Sequence, residues 1–308
     1  MALAFVFPGQ GSQSVGMMNG WADLAVVKAT FDEASAILGQ DLWQMAAEGP
    51  IELLNATVNT QPLMLTAGVA VWRAWQAQGG AQPTVLAGHS LGEYSALVAA
   101  EALSFGDALQ LVRLRAEAMQ EAVPVGTGAM AAILGLADDE IIAACVEAAQ
   151  GEVVAAVNFN SPGQVVIAGS KAAVERACDA CKARGAKRAM LLPVSVPSHC
   201  ALMRPASDKL QQKLDTIVIN TPVIPVLHNA DVAAYTDSAQ IKDALVRQLY
   251  EPVRWVETIA KMAQDGVTVI AECGPGKVLA GLNKRIATDA QQVALVDAAA
   301  LQTLKAML

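Results

Sequence analysis

The chain has 308 residues, 54% hydrophobic but only 4% aromatic, and its 29 acidic and 21 basic side chains leave a formal net charge of −8. That length calls for one large α/β domain or a large domain carrying a smaller insert, and the acidic balance excludes nucleic acid, whose binding rests on clustered Lys and Arg. Mean hydropathy is positive, yet no segment reaches the roughly 20 consecutive apolar residues of a spanning helix, so no membrane association and a cytoplasmic location are expected.

The apolar start, residues 2–7, stops at Pro8-Gly9 without a basic flank, so it reads as a first strand rather than a signal peptide. A Gly-rich loop, Pro8-Gly9-Gln10-Gly11-Ser12-Gln13, follows it, and helical patterns run on to about residue 78. Residues 84–87 predict a second buried strand that ends at Gly88-His89-Ser90-Leu91-Gly92, after which Leu91, Tyr94, Leu97 and Val98 recur at helical spacing. A helix over about 107–121 places Ala108, Leu109, Val112, Ala116 and Met119 on one face before Pro124 and Gly126 end it.

The pattern then changes. Strands over 129–134, 153–159, 164–168 and 187–192 alternate with helices over 138–149 and 171–183, the β-α-β-β-α-β order of a ferredoxin-like unit. After Pro193 the larger alternation resumes, with short buried strands over 223–227 and 267–271. The expected fold is α/β: an α/β-hydrolase-like core with a mostly parallel sheet, residues 1–125 and 196–308, and an inserted ferredoxin-like small domain, residues 126–195.

Five cysteines, Cys145, Cys178, Cys181, Cys200 and Cys273, form an odd, scattered set unlike a disulfide framework. Cys178 and Cys181 make a C-x-x-C inside a helical pattern with no second pair at zinc spacing, so core packing and no metal site are expected. Gly274-Pro275-Gly276-Lys277-Val278 has a P-loop flavour, but Ala271 stands where the first glycine belongs and Val278 where Ser or Thr is needed, which excludes nucleotide hydrolysis.

Gly88-x-Ser90-x-Gly92 between strand and helix is a nucleophile elbow: the turn strains the serine, and the glycines let neighbouring backbone come close. The helix beyond it directs free N–H groups and a positive dipole end at a developing oxyanion. A serine hydroxyl needs a base, usually histidine, and only three are present. His89 leaves the elbow in another direction and suits a pocket wall; His228 reads as a structural histidine after a strand; His199, in the loop Val196-Pro197-Ser198-His199-Cys200, is the favoured base. No acid stands convincingly between serine and histidine: Asp107 opens a helix, and Asp138, Asp139, Glu147, Glu152, Glu175 and Asp179 fall in the insert. A neutral acceptor such as a backbone carbonyl is therefore expected to orient His199.

Together these residues resemble the malonyl-CoA:acyl carrier protein transacylases of bacterial type II fatty acid synthesis, which share a fold with the acyltransferase domains of polyketide synthases. The resemblance spans essentially the whole chain and rests on Phe7-Pro8-Gly9-Gln10-Gly11-Ser12-Gln13, Gly88-His89-Ser90-Leu91-Gly92-Glu93, Arg113-Leu114-Arg115, Gly128-Ala129-Met130, Asn160-Ser161-Pro162-Gly163-Gln164, Pro197-Ser198-His199 and Glu272-Cys273-Gly274-Pro275-Gly276. It implies that Ser90 is acylated, that His199 is base and acid, that the amides of Gln10 and Leu91 form the oxyanion hole, and that the Gln248 main-chain carbonyl orients His199. It also implies that Arg115 holds the malonyl carboxylate, a role a planar guanidinium suits. Arg115 borders the apolar face of its helix and Arg113 sits only slightly further round, so periodicity alone does not separate them. His228 before Asn229 and Cys273 before Gly274 depart from the family pattern without touching an assigned role.

What the resemblance implies is transfer of malonyl from malonyl-CoA to the phosphopantetheine thiol of acyl carrier protein. Malonyl-CoA is a substrate and no cofactor or metal is required; a monomer is expected. Carrier proteins of this type are acidic, so docking to an acidic enzyme calls for a local basic patch, for which Lys277, Lys284 and Arg285 are the candidates. The rival readings are a serine thioesterase or esterase, which passes the acyl group to water, and a silent carrier-protein-binding subunit. The missing acid and Arg115 speak against the first, the presence of both Ser90 and His199 against the second.

Overall fold

In the computed structural model, which describes residues 2–194 and 196–308, the chain lays down two separate sheets. Strand β1 (Leu3–Phe7), buried along its whole length, is followed by helical segments to Ala77 and by β2 (Val85–Gly88), parallel to β1. The insert supplies β3 (Gly128–Leu134), β4 (Val154–Ser161), β5 (Gln164–Ser170) and β6 (Arg188–Leu191), with helices Asp138–Ala149 and Lys171–Ala183 between them. These strands pair antiparallel in the order β4-β5-β3-β6, as the β-α-β-β-α-β pattern predicts. The expected return to the larger sheet at residues 195–196 falls partly on Ser195, outside the described residues.

Strands β7 (Val226–Leu227), β8 (Val269–Cys273) and β9 (Gln291–Leu295) complete a parallel five-stranded sheet in the order β7-β2-β1-β8-β9. Its middle strands are buried on both faces, and apolar but for Glu272, because helices cover both sides. Strand β7 is shorter than the expected 223–227: Val223 is exposed, and Pro225, which has no N–H to give, joins the ladder only by accepting from Leu86 N. Strand β9 lies at the other edge and begins Gln291-Gln292 with an exposed end, so no buried apolar run announced it.

Backbone bonds tie the small sheet to the larger unit through the segment between helices Ser238–Gln248 and Trp255–Gln264: Phe159 N donates to Val253 O at 3.0 Å and Val253 N to Val157 O at 2.8 Å. The small sheet is thereby held over the ends of β1 and β2, where a cleft opens between Ser90, His199 and Arg115 on one side and Met130, Asn158 and Val166 on the other. All five cysteines are buried free thiols. Among the described residues no helix is long and apolar enough to cross a membrane.

Candidate active site

The elbow is built by close backbone approach. A Cβ on Gly92 would stand 2.0 Å from the Phe7 carbonyl oxygen, and one on Gly88 would stand 1.8 Å from the Gly92 carbonyl carbon, so neither position tolerates a side chain. Gly9 brings the first loop equally close, since its Cβ would meet His89 O at 2.5 Å. Ser90 at the apex has φ 52°, a left-handed backbone that a non-glycine residue adopts only when its surroundings impose it.

Ser90 Oγ lies 2.8 Å from His199 Nε2, and His199 Nδ1 lies 2.6 Å from Gln248 O. Gln248 is the last residue of helix Ser238–Gln248, so this carbonyl belongs to the electronegative end of the helix. An imidazole held there, with Nδ1–H donating, presents its Nε2 lone pair to the serine, and the helix end favours the imidazolium formed when it takes the proton. No carboxylate is needed for either task. His199 N also donates to Leu249 O at 2.9 Å. Burial holds the His199 pKa down to about 3; the positive charge of Arg115 adds to this, and the Gln248 carbonyl opposes it. At neutral pH the imidazole is uncharged.

The amides of Gln10 and Leu91 both border the cleft, and neither has a hydrogen-bond acceptor among the described residues. Leu91 is the N-cap of helix Gly92–Ala99, so its N–H is one of the free donors of a helix start. Two donors beside the serine can receive an oxyanion.

Arg113 does not sit only slightly further round the helix from Arg115, as the sequence reading has it: the two diverge. Two residues span about 200° of helix, so Arg113 faces the other way and donates to Gln40 Oε1 at 2.7 Å, while Arg115, 1% exposed, enters the cleft. Its nitrogens donate to Gln61 Oε1 at 2.8 Å, Gln248 Oε1 at 3.1 Å and Ser90 Oγ at 3.3 Å, and the Tyr94 ring lies 5.6 Å from its Cζ. Arg115 Nε has no partner among the described residues, and every acceptor the guanidinium has is neutral. A buried cation without an anion against it is costly, and the cleft is open for one to arrive.

Several polar groups here, Gln61, Glu93 and the Gln248 side chain, carried no role in the sequence reading. The Gln248 side chain donates to Ser90 O and to Glu93 Oε2, both at 2.9 Å, besides receiving Arg115. Glu93, fully buried, also accepts from His228 Nδ1 at 2.7 Å, which makes His228 structural as expected. His89 faces the cleft and pairs with Asn160 Oδ1 at 2.8 Å, its pKa lowered mainly by burial. Gln61 left no distinct trace in the sequence, since it follows Asn59 and Thr60 in the polar start of helix Thr57–Ala77.

Lys277, Lys284 and Arg285 are all exposed, but Arg285 is occupied by Gln164 Oε1 and Pro162 O in the β4–β5 turn. The P-loop-like segment holds a carboxylate where a phosphate would sit: Glu272 accepts from the amides of Leu279 and Ala280, and burial raises its pKa to about 7.

A parallel sheet delivering a serine on a strained strand-to-helix turn, opposite an uncharged imidazole and beside free amides, defines the class of α/β enzymes that work through an acyl-serine ester. Residues 4–301 match the acyl transferase domain family. The chain is 60% identical over 299 residues, 97% of each chain, to the malonyl CoA-acyl carrier protein transacylase of Salmonella typhimurium. It superposes with TM-score 0.98 and 59% identity on the acyl-carrier-protein S-malonyltransferase of Burkholderia pseudomallei, over 99% of this chain and 100% of that one. With TM-score 0.99 and 55% identity over the whole of both chains it superposes on a malonyl-transacylase solved in complex with a type II PKS acyl-carrier protein. The chain belongs to the acyl transferase family and, within it, to the malonyl CoA-acyl carrier protein transacylases.

Proposed function

We propose that this protein transfers a malonyl group from malonyl-CoA to the phosphopantetheine thiol of acyl carrier protein through an ester on Ser90. The single observation that carries the reading is the Ser90 Oγ to His199 Nε2 distance of 2.8 Å beside the guanidinium of Arg115, whose hydrogen-bond acceptors are all neutral. His199 takes the Ser90 proton as Oγ attacks the thioester carbonyl, and the amides of Gln10 and Leu91 hold the oxyanion. The tetrahedral intermediate collapses, the C–S bond breaks, and the coenzyme A thiolate leaves with the proton from His199. The carrier thiol then gives its proton to His199, attacks the ester and releases Ser90, which recovers the proton. Charges and atoms balance with the donor thioester and the carrier thiol alone, so the chemistry calls for no further cofactor.

Arg115 receives the free carboxylate of the malonyl group in a two-point contact. Gln248 orients His199 through its carbonyl. In this reading residues 1–125 and 196–308 form the catalytic domain, and residues 126–195 form a small subdomain that closes the cleft. The partner is an acyl carrier protein, the protein acts as a monomer in the cytoplasm, and Lys277 and Lys284 are the basic residues offered to the carrier.

The test is intact-mass measurement after mixing with malonyl-CoA, methylmalonyl-CoA and acetyl-CoA in parallel. The wild-type chain gains one malonyl increment and Ser90→Ala gains none; an adduct that persists on Ser90→Ala places the nucleophile elsewhere. Fast release of free malonate without carrier protein would favour a thioesterase instead.

A further inference from the structure

We infer that Asn229 is a positioning residue for acyl transfer, its carboxamide clamping the backbone of Ser90 in the strained conformation that aims the hydroxyl at His199; this rests on Ser90 being the acylated residue. Asn229 lies two residues beyond β7, the strand paired to the one that ends at Gly88. Its Oδ1 accepts from Ser90 N and its Nδ2 donates to Gly88 O, both at 2.7 Å. One planar group thus brackets the turn on either side of His89. It fixes the plane of the peptide that enters Ser90, while Gln248 Nε2 holds the Ser90 carbonyl on the far side.

The clamp is itself immobile. Asn229 is 1% exposed; its N–H donates to Glu93 Oε2 at 2.9 Å and its carbonyl accepts from Arg254 N at 3.2 Å. With the backbone anchored at both ends, the amide has one orientation that matches: acceptor towards the Ser90 N–H, donor towards the Gly88 carbonyl. Because the Ser90 N–H is consumed in this way, the next amide, that of Leu91, is the one presented to the cleft. A side chain with no donor leaves the Gly88 carbonyl buried without its partner, and one with no acceptor does the same to the Ser90 N–H, a penalty that relaxes the strained turn.

An aspartate separates this role from packing. A neutral carboxylic acid has the shape of the amide, with one donor and one acceptor, whereas a carboxylate has only acceptors and repels the Gly88 carbonyl. The charged and titratable groups around the position are Glu93 from the helix after the elbow, His228 and Asp231 on its own segment, Arg254 ahead of the next helix, and His89, His199 and Arg115 across Ser90. All are common to wild type and variant, and the shift an introduced carboxylate imposes on them, such as a raised His199 pKa, would slow the variant as pH falls, opposite in sign to the rise the clamp predicts. The nearby Glu93 carboxylate raises the pKa of the introduced acid.

Single-turnover acylation by malonyl-CoA, read by quenched-flow intact mass from about pH 5 to about 8, tests the clamp. Acylation of the wild type on Ser90 checks the underlying reading separately. Asn229→Ala should lower the acylation rate constant roughly 100-fold with half-saturating malonyl-CoA unchanged. For Asn229→Asp the rate relative to wild type should climb as pH falls and the acid becomes neutral. A wild-type rate in Asn229→Ala, or an Asn229→Asp ratio that is flat or falls towards low pH, overturns the proposal. Where Asn229→Ala does not fold, the slope of the Asn229→Asp ratio decides alone.

Discussion

Ser90 and His199 both adopt left-handed backbone conformations, at φ 52° and 65°, and their side chains meet at 2.8 Å. Each is strained for a non-glycine residue, and each is over-determined by its neighbours: Ser90 through Asn229 and Gln248, His199 through two successive carbonyls, Gln248 and Leu249. The strain places hydroxyl and imidazole in contact before any substrate arrives, which removes an orientation cost from the reaction.

Because the His199 pKa is lowered to about 3, the uncharged form that accepts a proton persists above that value and is lost only as pH falls through it. Single-turnover acylation should therefore show no falling limb at the ordinary imidazole value of 6.5. A limb there would mean the imidazole is solvated, contrary to its 3% exposure.

Arg115 has two separable effects. Arg115→Ala should cut malonyl transfer roughly 10- to 100-fold, the worth of a buried charge-assisted contact, and acetyl transfer far less. Equal losses with both donors would remove the carboxylate role. The same change deletes a positive charge that depresses His199, so the His199 pKa should move up towards 6.5, visible in an NMR titration of a chain with only three histidines.

Gln248→Ala distinguishes side chain from main chain. The carbonyl that holds His199 Nδ1 remains, while the bonds to Arg115, Ser90 O and Glu93 disappear. The half-saturating malonyl-CoA concentration should rise as Arg115 loses a guide, stability should fall by about 1–3 kcal/mol for the polar groups left unpaired, and the pH profile should keep its shape. A new limb near 6.5 would show that the truncation has admitted water to the imidazole, whose burial is what holds its pKa down.

Gly92→Ala tests the backbone approach that makes the elbow. A methyl 2.0 Å from the Phe7 carbonyl oxygen has no room, and both partners are backbone of a central strand and helix. Urea unfolding should register a loss of about 1–3 kcal/mol or more, together with loss of the acyl adduct. Wild-type stability would mean that β1 and the elbow are not packed as described.

Reversing charge at Lys277 and Lys284 should raise the Michaelis constant for carrier protein and leave acylation by malonyl-CoA unchanged. Unchanged carrier kinetics would clear both residues. Arg285 is a poorer probe, since its bonds to Gln164 and Pro162 brace the turn between β4 and β5.

The amino-acid order alone determined the elements and the elbow. Helices Asp138–Ala149 and Lys171–Ala183 stand where periodicity put them, and Gly88 and Gly92 flank Ser90 at the spacing the turn requires. Such features depend on sterics and burial within a few residues, which a local pattern records. Strand β9 escaped, and β7 is shorter than the expected 223–227, because edge strands are partly exposed and their pairing depends on a neighbour far along the chain. Only the tertiary structure decided which arginine enters the cleft, that Gln61 and Gln248 guide it, and that Asn229 and Glu93 brace the serine. Asn229 meets Ser90 across 139 positions and Gln248 meets Glu93 across 155. Contacts at that separation are set by how helices rotate and pack on the sheet, a property no local window contains.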